Sequence, residues 1–431
     1  MGWVVRLLRA EPQARRFFLA YGQSALGTGV AYVALLLIAY QRFHSPWAIA
    51  LVLLADYVPP MLLSPLFGAA ADRWSRRNCA VIADTARAVA YIGIALVHGI
   101  GPTVAFAFLA GTGTALFKPS IMAGLPSLVQ RARLSQATAL YGALTEIGYT
   151  VGPGIAAICL VFAGPGPLLA ANGITFAVSA ALLATLSFGE HSVPDGERPM
   201  ERASLLREAR DGIGVVMRIP TVRVVILCTS AMIFTAGFIN VSELILVNQL
   251  DGGHVGYAIL VTVAGIGIAL GSIVGKGGGD LAKLQRRYLS GIALFAVGLL
   301  GASASPVLWG VIIAFGFGGV GNGMVIVYQR LILQGVVDES LLGRVFGMQA
   351  ASDGAAFAAS FAFTAAILSV VSPRPLFAAA GVGSALVALV AWRLLRRHQD
   401  ELPPEAEQQT GEPPLASSAE PLVLSGPDLG R

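Results

Sequence analysis

The sequence predicts an all-α integral membrane protein whose twelve transmembrane helices form two six-helix, pseudo-repeated halves. Three observations carry this prediction. Of 431 residues, 55% are hydrophobic and only 12% are charged, with a mean hydropathy of +0.73. Soluble domains carry about 25% charged residues, so this apolar mass has too few charges to shield it from water, and its solvent must be lipid. Twelve apolar runs come close to the roughly 20 residues that cross a bilayer. Finally, the longest internal polar stretch, about 189–220 and rich in Arg and Glu, leaves six runs on each side.

The elements follow in order. Residues 1–16 are read as a cytoplasmic N-terminal segment carrying Arg6, Arg9, Arg15 and Arg16. The apolar run behind it is too long for the core of a cleavable signal, so the first helix is expected to be retained. The first half, 17–188, holds helices near 17–40, 47–70, 79–98, 102–123, 135–162 and 167–188. Pro and Gly at 98–102 and 164–167 separate pairs of them, since neither prolongs a helix cheaply. After the linker at 189–220, the second half, 221–395, holds helices near 221–249, 255–275, 287–304, 307–333, 344–371 and 375–395. The tail, 396–431, is rich in Pro, Glu, Gln and Ser and is expected to be disordered.

Basic residues set the orientation. With the N-terminus inside, the outer loops hold only Arg42 and Arg374. The inner loops hold Arg73, Arg76, Arg77, Arg131, Arg133, the run from Arg198 to Arg218, Lys283, Arg286, Arg287, Arg393, Arg396 and Arg397. This positive-inside asymmetry puts both termini in the cytoplasm. Arginine greatly outnumbers lysine, as in GC-rich bacterial genomes, so a bacterial cytoplasmic membrane is expected. The net charge of +5 follows from topology and is no nucleic-acid footprint.

Between the second and third helices stand Gly68, Asp72, Arg73, Arg76 and Arg77. A charged cluster beside lipid is costly to keep and points to a switch on one face of a moving bundle. Gly275, Asp280, Lys283, Arg286 and Arg287 echo it weakly in the second half, and repeated six-helix halves mark many secondary transporters. With these residues the chain resembles the major facilitator superfamily, whose loop between helices 2 and 3 reads Gly-x-x-x-Asp-Arg-x-x-Arg-Arg/Lys. On helix 5, Gly148, Gly152 and Pro153 are similar to the Gly-Pro motif of drug antiporters, with Ala156 and Ala157 where the family has a glycine pair. Segments at 17–24, 117–120, 238–243 and 343–347 resemble bacterial exporters of siderophores and macrolides.

The likeness covers about 14–398. It implies the major facilitator fold and proton-driven export by alternating access. It implies no enzymatic activity and no cofactor, the proton gradient supplying the energy. The expected partners are the bilayer, protons and a small-molecule substrate, with the chain acting as a monomer. The helix 5 motif is implied to limit ion leak.

Physical chemistry then gives each residue a role. Asp72, at the cytoplasmic end of helix 2, faces the start of helix 11 near Gly343. A helix N-terminus carries unpaired N–H groups and a partial positive charge, so Asp72 is expected to latch the halves shut there. Arg73, Arg76 and Arg77 would add pairs to nearby carboxylates or hold topology. Asp84 and Arg87, three apart on helix 3, share a face and are expected to pair. Lys118 and Arg330, near cytoplasmic helix ends, are read as snorkelling to the interface.

Asp56, Glu146 and Asp353 approach mid-bilayer, and Glu243 lies in the outer half of helix 7. Charge at that depth is expensive unless paired or neutralised. A low-dielectric site favours the neutral form of a carboxyl, which suits an acid that binds and releases a proton in each cycle. These four and Asn240, one turn from Glu243, are the candidate proton and substrate path. A hydrogen-bonded structural acid is the alternative at each. Glycines such as Gly267, Gly271 and Gly323 are expected to let helices approach closely. Phe106, Phe108, Phe234, Phe315 and Phe317 are expected to face lipid or neighbouring helices more often than a cavity.

Other classes fit poorly. Cys79, Cys159 and Cys228 are far apart with no metal or C-x-x-C spacing, so they read as packing residues. The five histidines are dispersed without metal spacing, and no Walker phosphate loop occurs. A membrane enzyme, a metal site and an ATP-driven pump are therefore not expected. The reading is an exporter of a small amphipathic molecule, such as a drug, siderophore or natural product, in exchange for protons. A proton-coupled importer or lipid-precursor carrier of the same fold is the alternative. From another class, the rival is a non-transporting sensor or scaffold, which would need a signalling domain that the short linker and tail do not offer.

Overall fold

The computed structural model describes residues 2–188, 214, 216–274, 280–368 and 370–399, without the side chains of 2, 65, 66, 68–73, 274, 339, 340, 343, 398 and 399, and among these residues thirteen α-helices and one 3-10 turn have defined ends, with further helical residues at 214 and 216–218. A short α1 (Gly2–Ala10) precedes α2 (Pro12–Phe43), α3 (Pro46–Arg73), α4 (Arg76–Leu96), α5 (Ile100–Leu128), α6 (Leu134–Cys159) and α7 (Pro165–Ala184). The second half comprises α8 (Pro220–Gln249), α9 (Gly253–Val274), α10 (Leu281–Ala304), α11 (Leu308–Val336), α12 (Glu339–Leu368) and α13 (Pro373–Gln399). No strand occurs among the described residues.

Local chemistry sets the ends. Pro12, Pro165 and Pro220 open their helices, where the missing N–H has no intrahelical partner to lose. The Ser75 hydroxyl caps α4 by accepting from the Asn78 amide at 3.4 Å, and the Asp280 carboxylate caps α10 by accepting from the Lys283 amide at 2.9 Å. His44 closes α2 in the left-handed region at φ 46°.

Eleven of the long helices have the length and apolar composition to cross a membrane; α6 is the exception. It carries Thr138, Tyr141, Thr145, Glu146, Tyr149 and Thr150, polar groups that a lipid-facing helix would not keep. It is the twelfth helix of the bundle by its packing, wedged between α2 and α9.

The halves repeat. In the first, α2 packs on α6 and α7, α3 on α5, and α4 on α5 and α7. Raising every label by six gives α8 on α12 and α13, α9 on α11, and α10 on α11 and α13, and each of those pairs is packed too. The main contacts between halves, α6 on α9 and α3 on α12, interchange under the same shift. Close approach rests on glycine: a Cβ on Gly152 of α6 would lie 2.6 Å from Gly29 of α2. Gly267 and Gly271 of α9 meet the backbone of α11 at Gly316 and Val320 in the same manner.

Three departures from the sequence reading matter. The helix expected to end at 70 runs on to Arg73, so Gly68, Asp72 and Arg73 belong to the last turns of α3 and only Trp74 and Ser75 separate it from α4. The first sixteen residues are not a bare segment. They contain α1, whose Leu7 is 1% exposed against Phe17 and Phe18, and Glu11, paired with Arg133 at 3.0 Å. The last helix continues to Gln399, past the expected 395. Most of the linker expected at 189–220, the tail from 400 and Gly275 lie outside the described residues.

Candidate functional site

A cavity of about 540 Å³ lies on the inner face of the first half, walled by α2 to α7, with Arg330 of α11 the sole lining residue from the second half. It holds two of the four sequence-flagged acids. Asp56 stands 10 residues past Pro46, about 15 Å along α3 at about 1.5 Å per residue. Glu146 stands 12 residues past Leu134, about 18 Å along α6. Asp56 is half-buried and Glu146 exposed to the cavity, and among the described residues neither has a hydrogen bond or ion pair. Lys118 and Arg330 also line this space. Both are exposed, at the end of the cavity nearest the arginine-bearing loops.

The wall is aromatic. Six of the chain's ten tyrosines line the cavity: Tyr21, Tyr32, Tyr57, Tyr91, Tyr141 and Tyr149. Tyr141 stacks on Tyr21 at 4.4 Å between centroids, and Tyr21 on Phe117 at 6.1 Å. The Arg87 guanidinium then sits between Phe117 at 4.1 Å and Phe176 at 4.3 Å, and Phe176 stacks on Tyr91 at 5.6 Å. Arg87 also donates to Asp84, and both side chains are buried. A cation in this setting is kept by its carboxylate partner and by two ring faces, each worth about 0.5–2 kcal/mol.

Sequence reasoning missed this tyrosine wall. The residues are scattered over four helices, and nothing in their spacing tells a cavity face from a packed one. The five phenylalanines weighed as cavity lining behave as expected for the most part. Phe108 and Phe317 are exposed on the outside, Phe106 and Phe234 pack against neighbours, and only Phe315 lines a cavity.

A second, smaller cavity of about 210 Å³ sits on the other half, against Asn240, Glu243, Phe315 and Asn322. Glu243 is 6% exposed and accepts a 2.8 Å hydrogen bond from the Tyr257 hydroxyl. Asn240 accepts from the Tyr32 hydroxyl at 3.1 Å, a bond that joins α8 to α2 across the two halves. Tyr32 and Tyr149 line both cavities. Farther toward the ends of α2 and α9, Gln41 bonds His254, again across the halves. These links lie away from the arginine-bearing loops.

Asp353 belongs to neither cavity. It accepts from Ser230 at 2.7 Å and from Gln349 at 3.3 Å, at the α8–α12 contact. The five candidate path residues thus fall into three places. Of the motif residues, Arg76 is half-buried and Arg77 exposed at the start of α4, while the side chains of Gly68, Asp72 and Arg73 lie outside the described set. On α6, Gly148 and Gly152 press on Ala25 and Gly29 of α2, and Pro153 is buried inside the helix.

Residues 17–289 and 225–427 match the family model of the Major Facilitator Superfamily. The chain is 25% identical over 426 residues to the enterobactin exporter EntS of Escherichia coli, covering 94% of this chain and 97% of that protein. It is 24% identical over 385 residues to the multidrug efflux pump Tap of Mycolicibacterium fortuitum, covering 84% of this chain and 88% of that one. The crystal structure of the nucleoside transporter NupG superposes with a TM-score of 0.71 at 12% identity, over 89% of this chain and 99% of that one. The last match bears on the fold and carries no substrate.

Proposed function

The chain belongs to the major facilitator superfamily, and on that premise we propose that it is a secondary active transporter exporting a small amphipathic molecule in exchange for protons. The observation that carries this reading is the pair Asp56 and Glu146, two carboxyl groups with no hydrogen bond or ion pair among the described residues, set in an aromatic cavity between membrane helices. Such groups have no structural bond to satisfy, so they are free to trade a proton for a ligand. Tyrosine faces and hydroxyls offer an amphipathic ligand both apolar contact and hydrogen bonds. The printed names of EntS and Tap, an exporter and an efflux pump, support the outward direction.

In this reading the arginine-bearing face is cytoplasmic, both termini lie inside, and the membrane is the bacterial cytoplasmic one. The cavity end beside Lys118 and Arg330 is the inner mouth, and Tyr32–Asn240 and Gln41–His254 hold the outer side closed. Asp72 latches the inner side in the opposite state. A ligand shifts the two states only by the difference in its affinity for them, so protons and substrate must each prefer one. The transporter works as a monomer and needs no cofactor.

The test is accumulation of lipophilic dyes and antibiotics in efflux-deficient bacteria expressing the chain, with and without a protonophore. Lower accumulation that the protonophore abolishes is the expected result. Higher, gradient-dependent accumulation would reverse the direction, and unchanged accumulation across a broad panel would refute broad-range efflux.

A further inference from the structure

The two cavities share a wall, and the wall includes a residue that also bridges the halves. Tyr32 lines both the central cavity and the smaller one, and its hydroxyl donates to Asn240 Oδ1 at 3.1 Å. The orientation of Asn240 is set by its other end, since Nδ2 donates to the Ala236 carbonyl of its own helix at 3.4 Å. Its oxygen is therefore turned toward α2. Glu243 follows three positions later on the same face of α8. Its printed partner is the Tyr257 hydroxyl, which donates to Oε1 from α9.

We infer that Tyr32 is a positioning residue that couples the proton on Glu243 to the closure of the two halves, through Asn240. The inference rests on the proposed proton exchange, extended from Asp56 and Glu146 to Glu243. An ionised Glu243 only accepts hydrogen bonds, so it leaves Asn240 Oδ1 to Tyr32. A neutral Glu243 carries an O–H that needs an acceptor in a buried site, and the amide oxygen one turn away is on its own face of α8. With Tyr257 donating to Oε1, that O–H becomes a second donor at Asn240 Oδ1, which has two lone pairs. Two donors on one acceptor weaken each other, and a weakened Tyr32 bond loosens one of the links holding α2 to α8. A molecule in the central cavity meets Tyr32 as part of the wall, so substrate and proton act on one phenol. The other titratable groups here are Tyr257 from α9, which bonds Glu243, and Tyr149 from α6, which lines the pocket; neither is a counter-charge.

The experiment is a double-mutant cycle on the open-to-closed ratio and needs no substrate. Spin labels at the ends of α2 and α9, beside Gln41 and His254, report the separation of the halves by double electron–electron resonance in the full-length protein. Glu243→Gln imitates the protonated acid, with its amide N–H as donor, and is expected to shift the ratio toward open by roughly 2- to 13-fold, the worth of one hydrogen bond. Tyr32→Phe keeps the ring and removes the hydroxyl. In that background Glu243→Gln is expected to shift nothing further. Gln41→Ala, which breaks a different link on the same side, is expected to leave the full Glu243→Gln shift in place. Equal shifts in the Tyr32→Phe and wild-type backgrounds would overturn the coupling role while leaving proton exchange at Glu243 standing. No shift from Glu243→Gln in any background would remove Glu243 from the proton path, and the coupling with it.

Discussion

Gly152→Ala on α6 should destabilise the protein, whereas Gly142→Ala, three turns earlier on the same helix, should not. A Cβ at 152 would lie 2.6 Å from the Cα and carbonyl carbon of Gly29 and 2.8 Å from the Val30 nitrogen. Ordinary carbon contacts are about 3.5–4.0 Å, so the methyl is short of room by about 1 Å. The atoms in its way are backbone, and no rotamer change relieves them. Helices α2 and α6 must part, at an overpacking cost of about 1–3 kcal/mol. At 142 nothing stands within 4 Å of the new Cβ, and replacing Gly by Ala inside a helix gains about 1 kcal/mol. Gly152→Ala shares that gain, so the two variants should differ by the overpacking cost, about 1–3 kcal/mol. Denaturant titration of the purified proteins in detergent, followed by helical circular dichroism, measures it. Coincident transitions, or a weaker Gly142→Ala, would refute the claim that the α2–α6 crossing is a backbone contact. The wild-type cavity walls ride on these helices, so Gly152→Ala should also lower transport.

Three further outcomes follow from the geometry. Asp84→Asn leaves Arg87 buried without its carboxylate and should cost about 3–5 kcal/mol, whereas the double change Asp84→Leu with Arg87→Met should cost much less; chemical unfolding of the two variants beside the wild type decides it. Glu243→Gln should insert normally yet lose protonophore-sensitive export, and unaltered proton flux in reconstituted vesicles would take that acid out of the proton path. Asp72→Asn should be inserted at wild-type levels but cycle slowly, and normal transport by a well-expressed variant would sink the latch.

The helices were legible because lipid imposes a simple demand on sequence: long apolar runs, with every backbone group satisfied inside the run. Pro and Gly at 98–102 and 164–167 marked two breaks to within a few residues; the helices part at 97–99 and 160–164. Polarity misled at the end of α3, where Asp72 and Arg73 read as loop although the backbone stays helical to Arg73. It reports where a helix leaves lipid, and helix can continue beyond that point. The N-terminal α1 was missed because nine residues are too short for a periodicity argument, although Trp3, Val4, Leu7 and Leu8 fall on an apolar stripe. At the site, the acids were visible one by one because charge is rare in a membrane run. Their grouping was not, since it depends on which helix faces which. Asp56 and Glu146 share a cavity, and Asp353, similar in depth and chemistry, instead ties α12 to α8. Lys118 and Arg330 sit where either lipid interface or cavity would hold them, and only the packing of α5 and α11 decides between the two.

The polar row of α6 has a consequence for how the chain is made. Its neighbours in the sequence, α5 and α7, have the length and apolar composition of membrane spans, whereas α6 carries Glu146 and a row of tyrosines and threonines along its length. In the folded bundle those groups are received by the cavity and by the contact with α2. Stable seating of α6 then depends on that tertiary contact, and the glycine crossing at Gly29, Gly148 and Gly152 is the surface that receives it. The residues that give the cavity its chemistry thus make biogenesis order-dependent. A ribosome-bound chain carrying a bulky residue at 29 should release α6 unprotected, even though every other span has entered the membrane.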